Sequence, residues 1–239
     1  MSVVKEVSKG VLEMHPAQLV RPEFFKTLST TALQKIDVKS HSHVPAVSFS
    51  DKFAFATVKG LRAIADCVFY KRYVHRAIVL ETVAAIPGMV GGLVRHMRSL
   101  RNMKDDGPAI RTLLAEAENE RMHLMTWMEV SKPWLIERMM VLMLQGIFFN
   151  AYLTLYVIAP KTAHRLVGYL EEEAIISYTE MIEELKQGTI PNTSAPAIAK
   201  KYWNLPETST LLDVTLAVRA DEAMHRDTNH DLADEDSDG

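Results

Sequence analysis

The chain has 239 residues, 48% of them apolar and 24% charged, with a net charge of −3. That much apolar material excludes a disordered chain, and the near-neutral balance gives no whole-chain reason to expect a nucleic-acid partner. A single cysteine, Cys67, excludes an internal disulfide framework and any multi-cysteine zinc or iron–sulfur site, so a metal would have to be held by nitrogen and oxygen.

Residues 1–50 read as a weakly structured N-terminal arm with Pro16, Pro22, Pro45 and the stretch Ser40-His41-Ser42-His43. His41 and His43 are possible metal ligands, but a solvated loop is the preferred reading. No apolar stretch follows the mildly basic start, so no secretory signal is expected, and an organelle presequence reads as absent or already removed. Over 51–70 the apolar residues Phe55, Val58, Leu61, Ala65 and Val68 recur at three- and four-residue spacing. Lys52, Lys59 and Arg62 share the polar side, with Lys71 and Arg72 just beyond. Such a helix suits a membrane surface or an ordinary outer position.

Five more helices are expected. The first, 77–103, stops before Asp105-Asp106-Gly107-Pro108, and 109–130 stops at Ser131-Lys132-Pro133. The next, 134–159, stops at Pro160, and 161–187 stops at Gly188. A loop over 189–206 holds Pro191, Pro196 and Pro206 and leads to a last helix near 209–232. Residues 234–239 form an acidic tail expected to fray. Prolines and glycines sit at the joints, and no two-residue turn lies between alternating apolar residues, so the chain reads as all-α with about six helices. Residues 139–160 carry no charge over 22 positions, long enough to span a bilayer. Gln145, Gly146 and Asn150 interrupt that run, however, and the other long apolar stretch, 77–94, contains Glu81. A charge at bilayer depth is costly, so a buried or half-embedded helix is expected rather than a span.

Two Glu-x-x-His pairs stand out, Glu120 with His123 and Glu222 with His225. With 18 Glu and 9 His, chance supplies about 0.7 such pairs, so the spacing alone decides nothing. The setting is more telling. Each pair lies inside an expected helix, where positions three apart share a face. Each is preceded by a helix with an unexplained acid, Glu81 in one and Glu171 in the other. The order Glu, Glu-x-x-His, Glu, Glu-x-x-His is an internal repeat of a helix pair. Folded face to face, the two pairs would put four carboxylates and two imidazoles on one axis. Carboxylates so buried need compensating positive charge. Two metal ions would provide it, and oxygen-rich ligation with one nitrogen each suits iron or manganese. This is the ligand set of ferritin-like di-metal bundles. The readings open at this point are an oxidase, an iron-storage protein, and another di-iron enzyme such as a hydroxylase.

The segments LETVAAIPGMVGG (80–92), LLAEAENERMHLMT (113–126), GYLEEEAIISYT (168–179) and RADEAMHRDTNH (219–230) closely resemble motifs of the alternative oxidase family, cyanide-insensitive di-iron ubiquinol oxidases. The resemblance runs over 51–233 and favours the respiratory branch. It implies a ferritin-like four-helix bundle with added membrane-associating helices, holding two iron ions through Glu81, Glu120, His123, Glu171, Glu222 and His225. It implies that Tyr178 is redox-active and that Asn119, Asp221, His164, Tyr202 and Trp203 support the ligands. It implies a quinol pocket at Arg76, Leu80, Glu173, Ala174 and Ser177, with Arg62 a further match; Ser177 stands where some members carry threonine. Ubiquinol and oxygen are then the substrates, two quinols per oxygen reduced to water, without proton pumping. The family sits on one leaflet as homodimers, in the mitochondrial inner membrane facing the matrix or in bacterial inner membranes facing the cytoplasm. The regulatory cysteine of plant members has no counterpart in residues 1–50.

Overall fold

A computed structural model describes residues 26–39 and 42–235. Eight helices occur among them: α1 (Thr30–Gln34), α2 (Phe49–Phe69), α3 (Tyr73–Asn102), α4 (Ala109–Val130), α5 (Leu135–Ile158), α6 (Pro160–Gln187), α7 (Ala197–Tyr202) and α8 (Leu211–Glu235). The six long ones match the expected helices closely. No strand forms among the described residues; Ser194 and Thr210 make one isolated antiparallel bridge.

Local chemistry sets the joints. Ser48 caps α2 by accepting from the Asp51 N–H at 3.0 Å, while Asp51 accepts from the Ser48 N–H at 3.0 Å, a reciprocal box that satisfies two donors left free by the first turn. At α5 the Glu137 carboxylate accepts from the Trp134 N–H at 2.6 Å. Pro160 opens α6, where a missing N–H costs nothing, and Gly188 closes it at φ 78°.

The helices pair as the internal repeat anticipates. α3 packs against α4, and α6 against α8. The first pair is drawn together by small residues. A Cβ on Gly88 would lie 2.4 Å from the Leu113 carbonyl oxygen, so only glycine permits that approach. A Cβ on Gly91 or Gly92 would meet the side chains of Leu113 and Leu114 at 3.1 and 2.8 Å. α2 lies over α6, and α5 covers α3 and α6. The main core, around Trp127, Tyr178, Met181 and Trp203, fills the space between these layers.

Several expectations need correction. The 189–206 loop contains α7, a six-residue helix that closes on Tyr202 and Trp203. Its three prolines bracket the helix rather than prevent it: Pro196 takes the N-cap position, where its missing N–H is harmless. α8 continues through Asp234 and Glu235, which were expected to fray, because Arg165 of α6 holds the Asp234 carboxylate. Residues 236–239 lie outside the described set. Of the two readings for the uncharged helix α5, full burial does not hold and the half-embedded one stands open: Tyr152 and Tyr156 are buried, but Leu135, Leu142 and Ile158 are 77%, 70% and 77% exposed. In the N-terminal arm, α1 forms after the Ser29 cap, and Tyr169 and Glu172 of α6 bind the Val44 main chain at 3.0 and 3.1 Å. His41 lies outside the described residues, and His43 pairs with Glu172 at 2.6 Å.

Candidate metal centre

Four helices each turn part of one face inward. α3 presents Glu81, α4 presents Glu120 and His123, α6 presents Glu171, and α8 presents Glu222 and His225. All six are buried. Their ligand atoms form two overlapping cages in which every donor lies within 4.8 Å of the others. One cage is Glu81, Glu120, His123 and Glu222; the other is Glu120, Glu171, Glu222 and His225. Glu120 and Glu222 belong to both. Glu120 turns Oε2 to His123 Nδ1 at 3.4 Å and Oε1 to His225 Nδ1 at 2.6 Å. Glu222 likewise turns Oε1 to His123 Nδ1 at 3.3 Å and Oε2 to His225 Nδ1 at 3.7 Å. Two carboxylates thus straddle the cages, one oxygen to each side.

The donor set fits metal. Glu81 Oε2, both oxygens of Glu120, and Nδ1 of both histidines are buried without a hydrogen-bond partner among the described residues. Glu120 Oε1 and His225 Nδ1 are close in distance but misaligned, so both aim at shared space rather than at each other. Buried polar atoms left this way are costly unless something binds them. Hard oxygen donors with one imidazole per cage suit iron or manganese.

Without a metal, protons must balance the charge. Burial pushes the Glu81 and Glu171 carboxyls well above the usual range, and their neighbours Glu120 and Glu222 push the same way. Burial acts on Glu120 too, but the imidazoles of His123 and His225 outweigh it and hold Glu120 well below the usual range. Burial and Glu120 both push Glu222 up, yet the same two imidazoles beside it leave it lowered. Burial alone would depress both histidines; the Glu120 charge reverses this and raises them well above the usual value. These shifts favour protons on the two imidazoles and on Glu81 and Glu171, and metal binding would compete with them.

The surrounding residues orient this set. Asp221 faces His123 Nε2 at 3.3 Å and accepts from Trp203 Nε1 at 2.7 Å and from Asn119 at 3.0 Å. Asn119 also donates to the Tyr202 hydroxyl at 3.1 Å. His164 lies one layer further out, between the Tyr156 hydroxyl at 2.9 Å and Asn229 Oδ1 at 3.0 Å. The Tyr178 hydroxyl donates to Glu81 Oε1 and accepts from Trp127 Nε1 at 3.0 Å, with the Trp127 ring stacked on its own. Burial and the Glu81 charge push its pKa well above the ordinary value, so the phenol stays protonated. Sequence reasoning passed over Trp127, Glu116 and Asn229. Each lies four residues from a ligand on its own helix, and that spacing is a signal that could have found them.

A cavity of about 310 Å³ joins the centre to the surface, walled by α2, α3, α5 and α6. Glu81, Glu120, Glu171, Tyr178 and Glu222 line its inner end, and Leu61, Ile64 and Val68, each at least 43% exposed, line its outer end. Arg62, Arg76, Leu80, Glu173, Ala174 and Ser177 all lie in its wall. Arg62 NH1 donates to Ser177 Oγ at 3.0 Å and to the Glu173 main chain at 3.2 Å, and Arg76 pairs with Asp66 at 2.5 Å. The mouth opens beside the exposed apolar residues of α5.

A family model described as "Alternative oxidase" matches residues 30–234. The chain is 56% identical over 214 residues to a protein of Trachipleistophora hominis named "Ubiquinol oxidase", covering 90% of this chain and 67% of that one. It is 56% identical over 230 residues to "Ubiquinol oxidase, mitochondrial" of Batrachochytrium dendrobatidis, covering 95% and 72%. It is 60% identical over 199 residues to "Ubiquinol oxidase 1, mitochondrial" of Nicotiana tabacum, covering 83% of this chain and 56% of that relative.

Proposed function

The chain belongs to the alternative oxidase family, and on that premise we propose that it is a ubiquinol:oxygen oxidoreductase with two irons in the overlapping cages. The observation that carries this reading is the apolar cavity, which ends inside on the straddling carboxylates and outside among exposed apolar residues. A quinone ring and isoprenoid tail would enter such a cavity directly from a membrane. Glu81, Glu120, His123 and Glu222 would hold one ion, and Glu120, Glu171, Glu222 and His225 the other. Iron bound there would supply the redox couple between quinol and oxygen.

The chain's own groups do the rest. The guanidinium groups of Arg62 and Arg76 and the Glu173 carboxylate at the cavity wall orient the quinol head by hydrogen bonds, while Leu80, Ala174 and Ser177 bound the ring. Each quinol releases two electrons and two protons, so two quinols balance the four of each needed to turn oxygen into two waters. The cage carboxylates would carry protons as well as hold metal. Tyr178 supplies an electron as its hydroxyl proton moves to Glu81 Oε1, a bond already made. The surrounding apolar residues keep bulk water from these groups.

The exposed apolar residues of α2 and α5 embed in one leaflet, with Lys52 and Lys71 at the headgroup level. A monotopic protein offers no charged path across the bilayer, so turnover does not pump protons. Met89, Leu93, Met97 and Leu100 of α3, all exposed, supply the face for a homodimer. The relatives' names say mitochondrial, which supports a mitochondrial placement; the location we propose is the inner membrane, matrix side, with the cytoplasmic side of a bacterial inner membrane as the alternative. The same exposed apolar face counts against an iron-storage protein, which needs a soluble exterior.

The test is oxygen uptake by iron-loaded protein in vesicles supplied with a ubiquinol analogue and cyanide. Sustained uptake with no pH change across the vesicle is expected. An iron-replete preparation that consumes no oxygen would overturn the reading.

A further inference from the structure

The Tyr178 hydroxyl, at the inner end of the cavity, has two hydrogen-bond partners among the described residues. On one side it donates to Glu81 Oε1 of α3. On the other it accepts from the Trp127 indole Nε1–H of α4 at 3.0 Å. The two rings also stack, with centroids 5.8 Å apart and planes 17° from parallel. Trp127 is 0% exposed and Tyr178 6%, so bulk solvent does not compete for this bond. Trp127 lies behind the tyrosine, outside the cavity lining, and belongs to neither cage.

The two partners are chemically unequal. A carboxylate can receive a proton, whereas an indole N–H is a donor only. Of the two neighbours, Glu81 alone can therefore take the phenol proton. The indole also decides where the hydroxyl points: with one side of the oxygen held by an N–H, the O–H bond is left facing Glu81. In the oxidation step Tyr178 gives one electron to the oxygen being reduced and one proton to Glu81 Oε1. An electron from quinol and the same proton later restore it. Through both changes the N–H stays aimed at the phenol oxygen, so no group has to turn as charge moves. The arrangement is fixed from three sides, because Glu81, Trp127 and Tyr178 come from α3, α4 and α6.

We propose that Trp127 is a positioning residue for Tyr178: its indole N–H aims the phenol hydroxyl at Glu81 and holds the oxygen of the tyrosyl radical once the electron and proton have left. It acts through Tyr178 alone. The inference rests on the redox role proposed for Tyr178 above.

The test uses the full-length protein and Trp127→Phe, which keeps a ring for the stack and removes the donor. The chain has three tryptophans, so metal-free protein labelled with indole nitrogen-15 gives three N–H resonances. Tyr178→Phe should shift the one that Trp127→Phe removes. In iron-loaded protein frozen rapidly after mixing with quinol and oxygen, the tyrosyl radical should show a deuterium-exchangeable proton coupling that Trp127→Phe loses. In oxygen uptake, Trp127→Phe should lower turnover by about two- to tenfold, the effect of one hydrogen bond, with iron content and the KM for quinol unchanged. Added to Tyr178→Phe, it should cost nothing further, whereas a merely structural role would lower turnover in both backgrounds alike. If no indole resonance moves in Tyr178→Phe, the inference is overturned, and that measurement stands even if Trp127→Phe does not fold. An unchanged radical spectrum with wild-type turnover in Trp127→Phe would also overturn it and leave the role of Tyr178 intact. Wild-type turnover in Tyr178→Phe would defeat the reading of Tyr178 and this inference with it.

Discussion

The four-helix interior and the outer face of α2 and α5 each break the usual division of polarity, in opposite directions. Inside, four carboxylates and two imidazoles are buried where apolar side chains are ordinarily found. Outside, Phe49, Leu135, Leu142, Ile147 and Ile158 face away from the protein where charge is ordinarily found. Buried ionisable groups demand a compensating charge, and an exposed apolar stripe demands an apolar covering. Each region is thus incomplete, and the function proposed above completes one with metal and the other with lipid. The cavity links the two. A substrate with an apolar tail and a redox-active head could enter at one and react at the other.

The sharpest way to break the inner half of this comparison is Glu120→Ala. Because Glu120 serves both cages, metal retention should fall by more than the roughly 100-fold upper range seen for losing an outer partner, and oxygen uptake should vanish. Metal analysis of the purified variant checks this; full loading would overturn the ligand assignment. The outer half should yield next. Leu142→Asp with Ile147→Asp removes two apolar anchors worth about 1.5–3 kcal/mol each, so vesicle binding should drop by about 100-fold or more while metal content stays unchanged. Co-sedimentation with vesicles measures it, and undiminished binding would mean that α5 does not face lipid. Tyr178→Phe separates chemistry from construction within the core. Iron content should hold, turnover should fall by more than about tenfold, and folding stability should change by only about 1 kcal/mol for the lost hydrogen bond. Turnover equal to wild type would remove Tyr178 from the reaction.

The smallest effect is a pH trend in the metal-free protein. His123, His225, Glu81 and Glu171 all have folded pKa values raised above their ordinary ones, and Glu116 is pushed up to about 7, chiefly by burial. In each case the folded state binds the extra proton. Stability from the acids is complete below their ordinary value of 4.5 and that from the histidines below 6.5, and both are lost as pH rises through the folded values. Glu120 and Glu222, both lowered, run the other way, but their contribution is complete above their ordinary value of 4.5 and changes only below it. Metal-free protein should therefore melt at lower temperature at pH 8 than at pH 5.5. Metal should reverse the slope, since it binds only the deprotonated cage. Thermal melts with and without iron(II) would show it, and parallel slopes would contradict the proton-filled cage.

The legibility of the molecule differed by region. The six long helices and all six cage residues were readable, because helical period, proline and glycine punctuation and the Glu-x-x-His repeat are local signals. α7 was not readable, since a six-residue helix among three prolines has too little pattern of its own. The exposure of α5 was not readable either: an uncharged run looks the same whether protein or lipid covers it. Trp127, Glu116 and Asn229 escaped because an i+4 spacing gains meaning only once the face it shares is known to be the inner one.

By itself the amino-acid order determined an all-helical chain with two matched helix pairs, an oxygen- and nitrogen-only metal site, and one uncharged helix in need of a covering. Tertiary structure alone decided how these combine. It brought Glu120 and Glu222 between the two imidazoles, each with one oxygen to either side. It set Tyr178 against Glu81 and Trp127, and it turned the apolar faces of α2 and α5 outward around the cavity mouth. The reason is one of range. Periodicity and capping act over a few residues and are written in the sequence, whereas cages, cavities and exposed faces arise from contacts between residues a hundred positions apart.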